Sequence, residues 1–301
     1  MQLPVTLIGG YLGAGKTTLV NHLLRECEGR RLAVLVNDFG ELPIDSDLIE
    51  VRDGPLLQLA GGCVCCSFGS DLMAALQQML ALQPRPDHIL IETSGVALPA
   101  AVARTLGLLT GLRLDAVLVL ADAETVRERA ADRYVGELVR QQLQQADLLL
   151  LNKTDLLPEA ALAPLRDWCA TTAPRARVVA TQRARLVPAL LFGETAFDAA
   201  PRSHGATVAA RTLFDSVSLE FEHAVDLPAL AEALTALPLL RAKGLMRDRD
   251  GRMRSLQLVG ARPALAEAPL ATAQHGRLVC IALRGELPSE HIRALVAQCA
   301  C

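Results

Sequence analysis

The apolar run Val5–Ile8 is followed at once by Gly10-Tyr11-Leu12-Gly13-Ala14-Gly15-Lys16-Thr17-Thr18, and then by an amphipathic stretch over Thr17–Glu26. Strand, glycine-rich turn and helix therefore come in order, with G-x-x-x-x-G-K-[ST] met at Gly10, Gly15, Lys16 and Thr17. Such a turn constrains the fold strongly. Its glycines let backbone N–H groups converge on one point, and the helix that follows adds the positive end of its dipole. The ligand this chemistry suits is a nucleotide polyphosphate. Gly10, Gly13, Ala14, Gly15, Lys16, Thr17 and Thr18 are the candidate contacts, with Lys16 expected on the β- and γ-phosphates and Thr17 on Mg²⁺. Lysine usage sharpens the assignment. Of 30 basic residues only Lys16, Lys153 and Lys243 are lysines, so a compact ammonium has been kept where arginine serves elsewhere.

Around this turn, apolar runs alternate with amphipathic ones. Strands are expected at Val5–Ile8, Leu32–Val36, Ile89–Ile91, Ala116–Leu120, Leu148–Leu151 and Val178–Ala180. Helices are expected at Thr17–Glu26, Ser70–Leu82, Ala123–Ala130, Tyr134–Gln145 and Glu159–Ala170. The continuous Leu, Ile and Val character of the strands suits a parallel sheet buried on both faces. The expected fold is α/β, a doubly wound, mainly parallel P-loop NTPase sheet over residues 1–192. Residues 193–211 lack any sustained period and carry Gly, Pro, Ser and Thr, and are read as a linker. Residues 212–301 form a second, smaller α+β domain, with strands at Phe214–Phe221, Leu239–Met246, Ser255–Val259 and Leu278–Leu283 and helices at Leu227–Leu237 and Ser289–Gln298.

Further polar residues follow the expected strands. Leu148–Leu151 runs into Asn152-Lys153-Thr154-Asp155, an N-K-x-D sequence. An acceptor-only carboxylate at Asp155 matches the N1 and N2 hydrogens of guanine, which adenine lacks, while Asn152 and Lys153 brace the loop and the ring. GTP is thus expected over ATP. Glu92 ends the strand HILIE and is placed to hold Mg²⁺, through a water if not directly, and Gly95 of ETSG can offer its N–H to the γ-phosphate. Lys16, Thr17, Glu92 and Gly95 are accordingly the candidate catalytic residues. Asn37, Asp38, Gly40 and Glu41 of NDFGE form a third polar cluster, a candidate switch that senses the γ-phosphate.

Between these motifs lies Gly61-Gly62-Cys63-Val64-Cys65-Cys66. Thiolates bind borderline and soft cations, and a short glycine-rich turn can bring two or three of them onto one ion. Cys63, Cys65 and Cys66 are the candidate transition-metal ligands, with Zn²⁺ or Co²⁺ as the expected ion. A redox-active dithiol and three unrelated buried thiols are the competing readings. Structural zinc sites close with four protein ligands, and no second cysteine pair lies nearby, so three thiolates imply an open, exchangeable site. Cys27 and Cys169 fall in or beside expected helices and read as core. Cys299 and Cys301 make a C-terminal C-x-C with two readings, metal transfer or a frayed tail.

Bulk properties narrow the partners. With 51% hydrophobic and 21% charged residues and a formal net charge of −3, the chain has an ordinary globular composition and no general attraction for nucleic acid or anionic lipid. No apolar run approaches the ~20 residues that span a bilayer, and no basic segment precedes an apolar one at the N-terminus. A cytoplasmic location is expected.

Taken together, GGYLGAGKTTLVNHLL, NDFGELPIDSDLI, GGCVCC, ETSG and NKTD resemble the CobW-like family of metal-handling GTPases, and the later RAKGLM and GRLVCIAL resemble its smaller C-terminal domain. The resemblance implies a cytoplasmic GTPase that couples nucleotide state to delivery of zinc, cobalt or another transition metal to a client metalloprotein. In that family the C-x-C-C thiolates hold the ion. Expected partners are GTP and GDP, a transition-metal ion, the client, and a second copy of the chain in a nucleotide-dependent homodimer. The histidine-rich stretch of many relatives is represented here by His204 alone, and the usual N-E-F-G-E reads N-D-F-G-E. A carboxylate that some members place before that Asn is Val36 here, which leaves Glu41 as a fourth ligand by reach only. The alternative function is a GTPase regulator of one enzyme, its cysteine site holding structural zinc.

Overall fold

A computed structural model of the chain describes residues 2–27, 29–37, 56–59, 71–192, 214–268 and 275–301. It divides into two compact units, Met1–Leu191 and Phe192–Cys301.

In the first unit the chain alternates strand and helix: β1 (Leu3–Gly10), α1 (Lys16–Arg25), β2 (Leu32–Asn37), β3 (Leu56–Leu59), α2 (Asp71–Ala81), β4 (His88–Glu92), α3 (Pro99–Leu106) and β5 (Leu112–Asp122). It continues through α4 (Val126–Ala131), α5 (Gly136–Gln144), β6 (Leu148–Asn152), α6 (Glu159–Thr172), β7 (Arg177–Ala180) and α7 (Ala189–Phe192). The strands form one seven-stranded sheet in the order β3-β2-β4-β1-β5-β6-β7. Every pairing in it is parallel. This is the expected doubly wound α/β fold, with β1 at the centre.

Burial follows the period of two. Val5 and Leu7 of β1 share one core cluster with Leu76 and Met79 of α2, Val102 of α3, Val139 and Leu143 of α5, and Cys169 of α6. Thr6 and Ile8, which point to the opposite face, are equally buried, and α1, which also buries Leu19, Val20 and Leu23, packs on β1 and β4. Both faces are thus covered, which is why β4 and β6 are buried at all five positions and carry the unbroken apolar runs Ile89–Ile91 and Leu148–Leu151.

Some elements have no counterpart among the sequence expectations. Helix α3 opens on Pro99 and buries Val102, Thr105 and Leu106, but at eight residues it is too short for a sustained helical period to show in the sequence. Strand β3 is only four residues long. Strand β5 extends to eleven residues, from Leu112, because Leu3–Val5 pair with Leu112–Leu114 before the register shift beyond Val5.

The second unit contains β8 (Phe214–Phe221), α8 (Leu227–Thr235), β9 (Leu239–Arg247), β10 (Met253–Val259), β11 (Arg262–Glu267), β12 (Gly276–Leu283) and α9 (Ser289–Gln298). Its sheet is antiparallel, in the order β11-β10-β9-β12-β8. One face packs on α8 and α9 through Val217, Leu219, Leu230, Leu234, Leu256, Leu278 and Ile292. Asp226 caps α8, its side chain accepting from the Ala229 N–H at 3.3 Å. Strand β11 escaped the sequence reading because Pro263 interrupts it. An edge strand tolerates that proline, and β11 pairs only with β10.

Among the described residues no helix is long and apolar enough to cross a membrane.

Candidate functional site

In a parallel sheet all strands end on the same edge, and the described candidate residues of the first unit gather there. The phosphate loop leaves β1 at Gly10, whose φ of 131° lies in glycine territory. A Cβ at Gly10 would strike the backbone carbonyl of Leu120. At Gly15, with φ 103°, a Cβ would lie 2.6 Å from the Asn152 side-chain nitrogen. These two glycines let the loop lie flush against β5 and the β6 end, with α1 starting at Lys16. The fit to a phosphate is of this kind: a cradle that side chains would fill, closed by a helix N-terminus. Lys16 is buried, and its Nζ donates to the Tyr11 carbonyl at 3.5 Å, so the ammonium already lies against the loop it would serve.

Beside it, the Thr17 hydroxyl donates to Glu92 Oε1 at 2.9 Å, joining the first turn of α1 to the end of β4. Glu92 is 2% exposed. A buried carboxylate against a threonine hydroxyl is a donor set suited to a hard divalent cation, with Mg²⁺ the ion that takes such oxygens together with phosphates and waters. The chain then turns across the top of β1, with the Thr93 N–H donating to Ile8 O at 2.9 Å. A Cβ on Gly95 would come within 2.5 Å of the Leu12 side chain and 2.9 Å of the Leu12 nitrogen, so only glycine lies this close to the phosphate loop.

Asn152 ends β6 and is 2% exposed. Its Nδ2 donates to the Ala14 carbonyl at 2.9 Å and its Oδ1 accepts from the Ala184 N–H at 2.7 Å. One amide thus ties the phosphate loop to the loop after β7, where Arg183 and Ala184 both adopt positive φ. Lys153 is itself left-handed, with φ 63°, and its ammonium lies 2.6 Å from the Asp122 carboxylate at the end of β5. Asp155 follows in the short turn Thr154–Leu156 and is exposed. Its carboxylate faces solvent, while Asn152 and Lys153 are engaged in holding the loop.

Comparison with known proteins matches residues 4–180 to the CobW/HypB/UreG nucleotide-binding domain. The chain belongs to this family. Residues 214–300 match the cobalamin synthesis protein CobW C-terminal domain. A relative from Pseudomonas aeruginosa named zinc chaperone CobW is 35% identical, over 87% of this chain and 81% of its own length. The Escherichia coli protein named zinc chaperone YjiA is 31% identical over 98% of both chains. Among solved structures, the Zn(II)-bound YjiA GTPase from E. coli aligns over 100% of both chains at 26% identity, with a TM-score of 0.48.

Asn37 ends β2, in register with Leu59 of β3, so both strands finish on the site edge. Asp38, Gly40, Glu41 and the Cys63, Cys65 and Cys66 thiolates lie outside the described residues, as does His204. The same is true of the whole linker expected at 193–211. Among the described residues no group of three or more His, Cys, Asp or Glu side chains could hold a metal ion. The remaining cysteines separate by burial. Desolvation pushes the Cys169 thiol up to about 11 and the Cys280 thiol up to about 12, which keeps both protonated and unsuited to ligation. Cys299 is also raised, first by burial and then by the nearby Asp226 and Cys301.

Sequence reasoning missed Asp122, Ala184 and Gln142. Asp122 was findable, since it ends the apolar run VLVLAD as Glu92 ends HILIE. The other two carry no motif and enter the site only through packing.

Proposed function

We infer that this CobW-family chain hydrolyses GTP and uses its nucleotide state to govern the holding and release of a transition metal, zinc foremost, to a client metalloprotein. Lys16 neutralises charge developing on the β- and γ-phosphates. Thr17 and Glu92 hold Mg²⁺, and Asp155 reads guanine. Cys63, Cys65 and Cys66 bind the cargo ion as thiolates. The observation that carries this reading is the double anchorage of Asn152, which locks the N-K-x-D loop to the phosphate loop at Ala14. A base-reading loop braced on the phosphate cradle suits a guanine nucleotide. The zinc-chaperone names of the relatives support the cargo.

Two linked measurements test it. In competition binding GTP should displace a labelled guanine nucleotide far better than ATP, because the wrong base leaves a carboxylate unmatched. In a zinc titration against a chromophoric chelator, Mg²⁺ with a non-hydrolysable GTP analogue should tighten zinc binding over Mg²⁺ with GDP. Typical couplings correspond to roughly 5- to 150-fold. Equal use of ATP would overturn the guanine reading. Identical zinc affinities in the two states would leave a GTPase with a structural cysteine site and favour the regulator function.

A further inference from the structure

Helix α5 turns Gly136, Val139, Gln142 and Leu143 inward, so an amide occupies a position where the spacing calls for an apolar residue. Gln142 is 1% exposed. Burying an amide is unfavourable unless its hydrogen bonds are remade, and here both N–H groups are used. Nε2 donates to the Gly95 carbonyl at 3.1 Å and to the Ala97 carbonyl at 2.9 Å. Both acceptors belong to the turn that follows Glu92, and Gly95 in that turn abuts Leu12. The Gln142 oxygen has no hydrogen-bond partner among the described residues, and the side chain lines a cavity of about 20 Å³ with Tyr11, Leu12, Ala14 and Asp122. That volume admits about one water.

A leucine or methionine would fill this position with less desolvation, so the amide has a use that packing alone does not supply. We propose that Gln142 is a positioning residue for GTP hydrolysis: its amide holds the Gly95–Ala97 backbone so that the Gly95 N–H is presented to the γ-phosphate. The proposal rests on the GTPase reading above and adds a residue that touches no nucleotide itself. It implies that Gln142 matters to ligands carrying a γ-phosphate and not to GDP, because GDP presents nothing to Gly95.

The test uses the full chain with Gln142→Met, which keeps the volume and removes both donors, and Gln142→Asn, which keeps the amide but withdraws it by one methylene. Thermal unfolding checks the fold of each. The expected result is a kcat for GTP lowered roughly 10- to 100-fold, less than the roughly 10²- to 10³-fold lost when a transition-state donor is itself removed, because the Gly95 N–H stays and is only misplaced. GDP affinity should stay within about twofold, while the affinity ratio of a non-hydrolysable GTP analogue to GDP falls about 5- to 20-fold. A folded variant with unchanged kcat and unchanged ratio overturns the proposal. Parallel loss of GDP and analogue binding, or failure of both variants to fold, makes Gln142 a structural residue and also overturns it. If the wild-type chain neither hydrolyses GTP nor favours the analogue, the GTPase reading itself has failed, which is a separate outcome.

Discussion

The two units use the same aliphatic side chains but distribute polar groups differently. In the parallel sheet every strand ends on one edge, and Gly10, Asn37, Glu92, Asp122 and Asn152 terminate five of its strands there. In the antiparallel sheet strand ends alternate between edges, so polar residues spread out as surface ion pairs such as Arg254 with Asp248 at 2.9 Å and Arg249 with Asp226 at 2.6 Å. Parallel topology concentrates chemistry; antiparallel topology here builds a one-faced sheet under two helices. Chemistry in the first unit should therefore be separable from stability, whereas the second unit should respond to its core.

The largest effect that sharpens this contrast is expected from Lys16→Ala. Steady-state hydrolysis of GTP should fall by a factor on the order of 10² to 10³, the scale of removing one preorganised charge partner from a transition state. Circular dichroism and zinc content should stay near wild type, since the ammonium lies against the Tyr11 carbonyl of the phosphate loop. Near-normal turnover in the folded variant would remove Lys16 from its assigned role.

Next comes the second unit's core. Leu230 on α8 is fully buried in its cluster, so Leu230→Ala should destabilise that unit by about 2–5 kcal/mol. Each unit has its own apolar core, so guanine-nucleotide affinity measured at low temperature should change by less than about twofold. A large loss of nucleotide binding would break the proposed separation.

The smallest effect is electrostatic. The side-chain hydrogen bond from Arg254 holds Asp248 below the ordinary carboxylate value of 3.8, and the Arg252 and Asp250 N–H groups lower it further against some desolvation. A depressed native value means that stability is present above about pH 4 and is lost as pH falls through the native value. The Asp248 side chain is half-buried beside Arg254 but lies on a surface turn, so Asp248→Asn should slightly lower the unfolding temperature at neutral pH and flatten the acid side of its pH profile. An unchanged profile would remove this ion pair from the unit's stability.

Legibility in the sequence differs between scaffold and site. Strands β1, β4 and β6 were readable because a strand buried on both faces must be apolar throughout, and α1 because the phosphate loop announces it. Helix α3 and strand β11 were not, the first because eight residues carry too little of a helical period and the second because Pro263 obscured an edge strand. Among site residues, Lys16, Thr17, Glu92, Asn152 and Asp155 stand in local motifs whose spacing carries the chemistry. The Asp122 partner of Lys153 and the Gln142 clamp on Gly95 are separated from their targets by 31 and 47 residues.

By itself, then, the sequence determined the order of elements, the parallel class of the first sheet and the identity of the phosphate loop, because periodicity and glycine placement act over a few residues. Tertiary structure alone decided the sheet order that sets β4 and β5 beside β1, and with it which carboxylate meets Thr17 and which amide meets Ala14. Those meetings depend on where distant strands end in space, and no local preference encodes that.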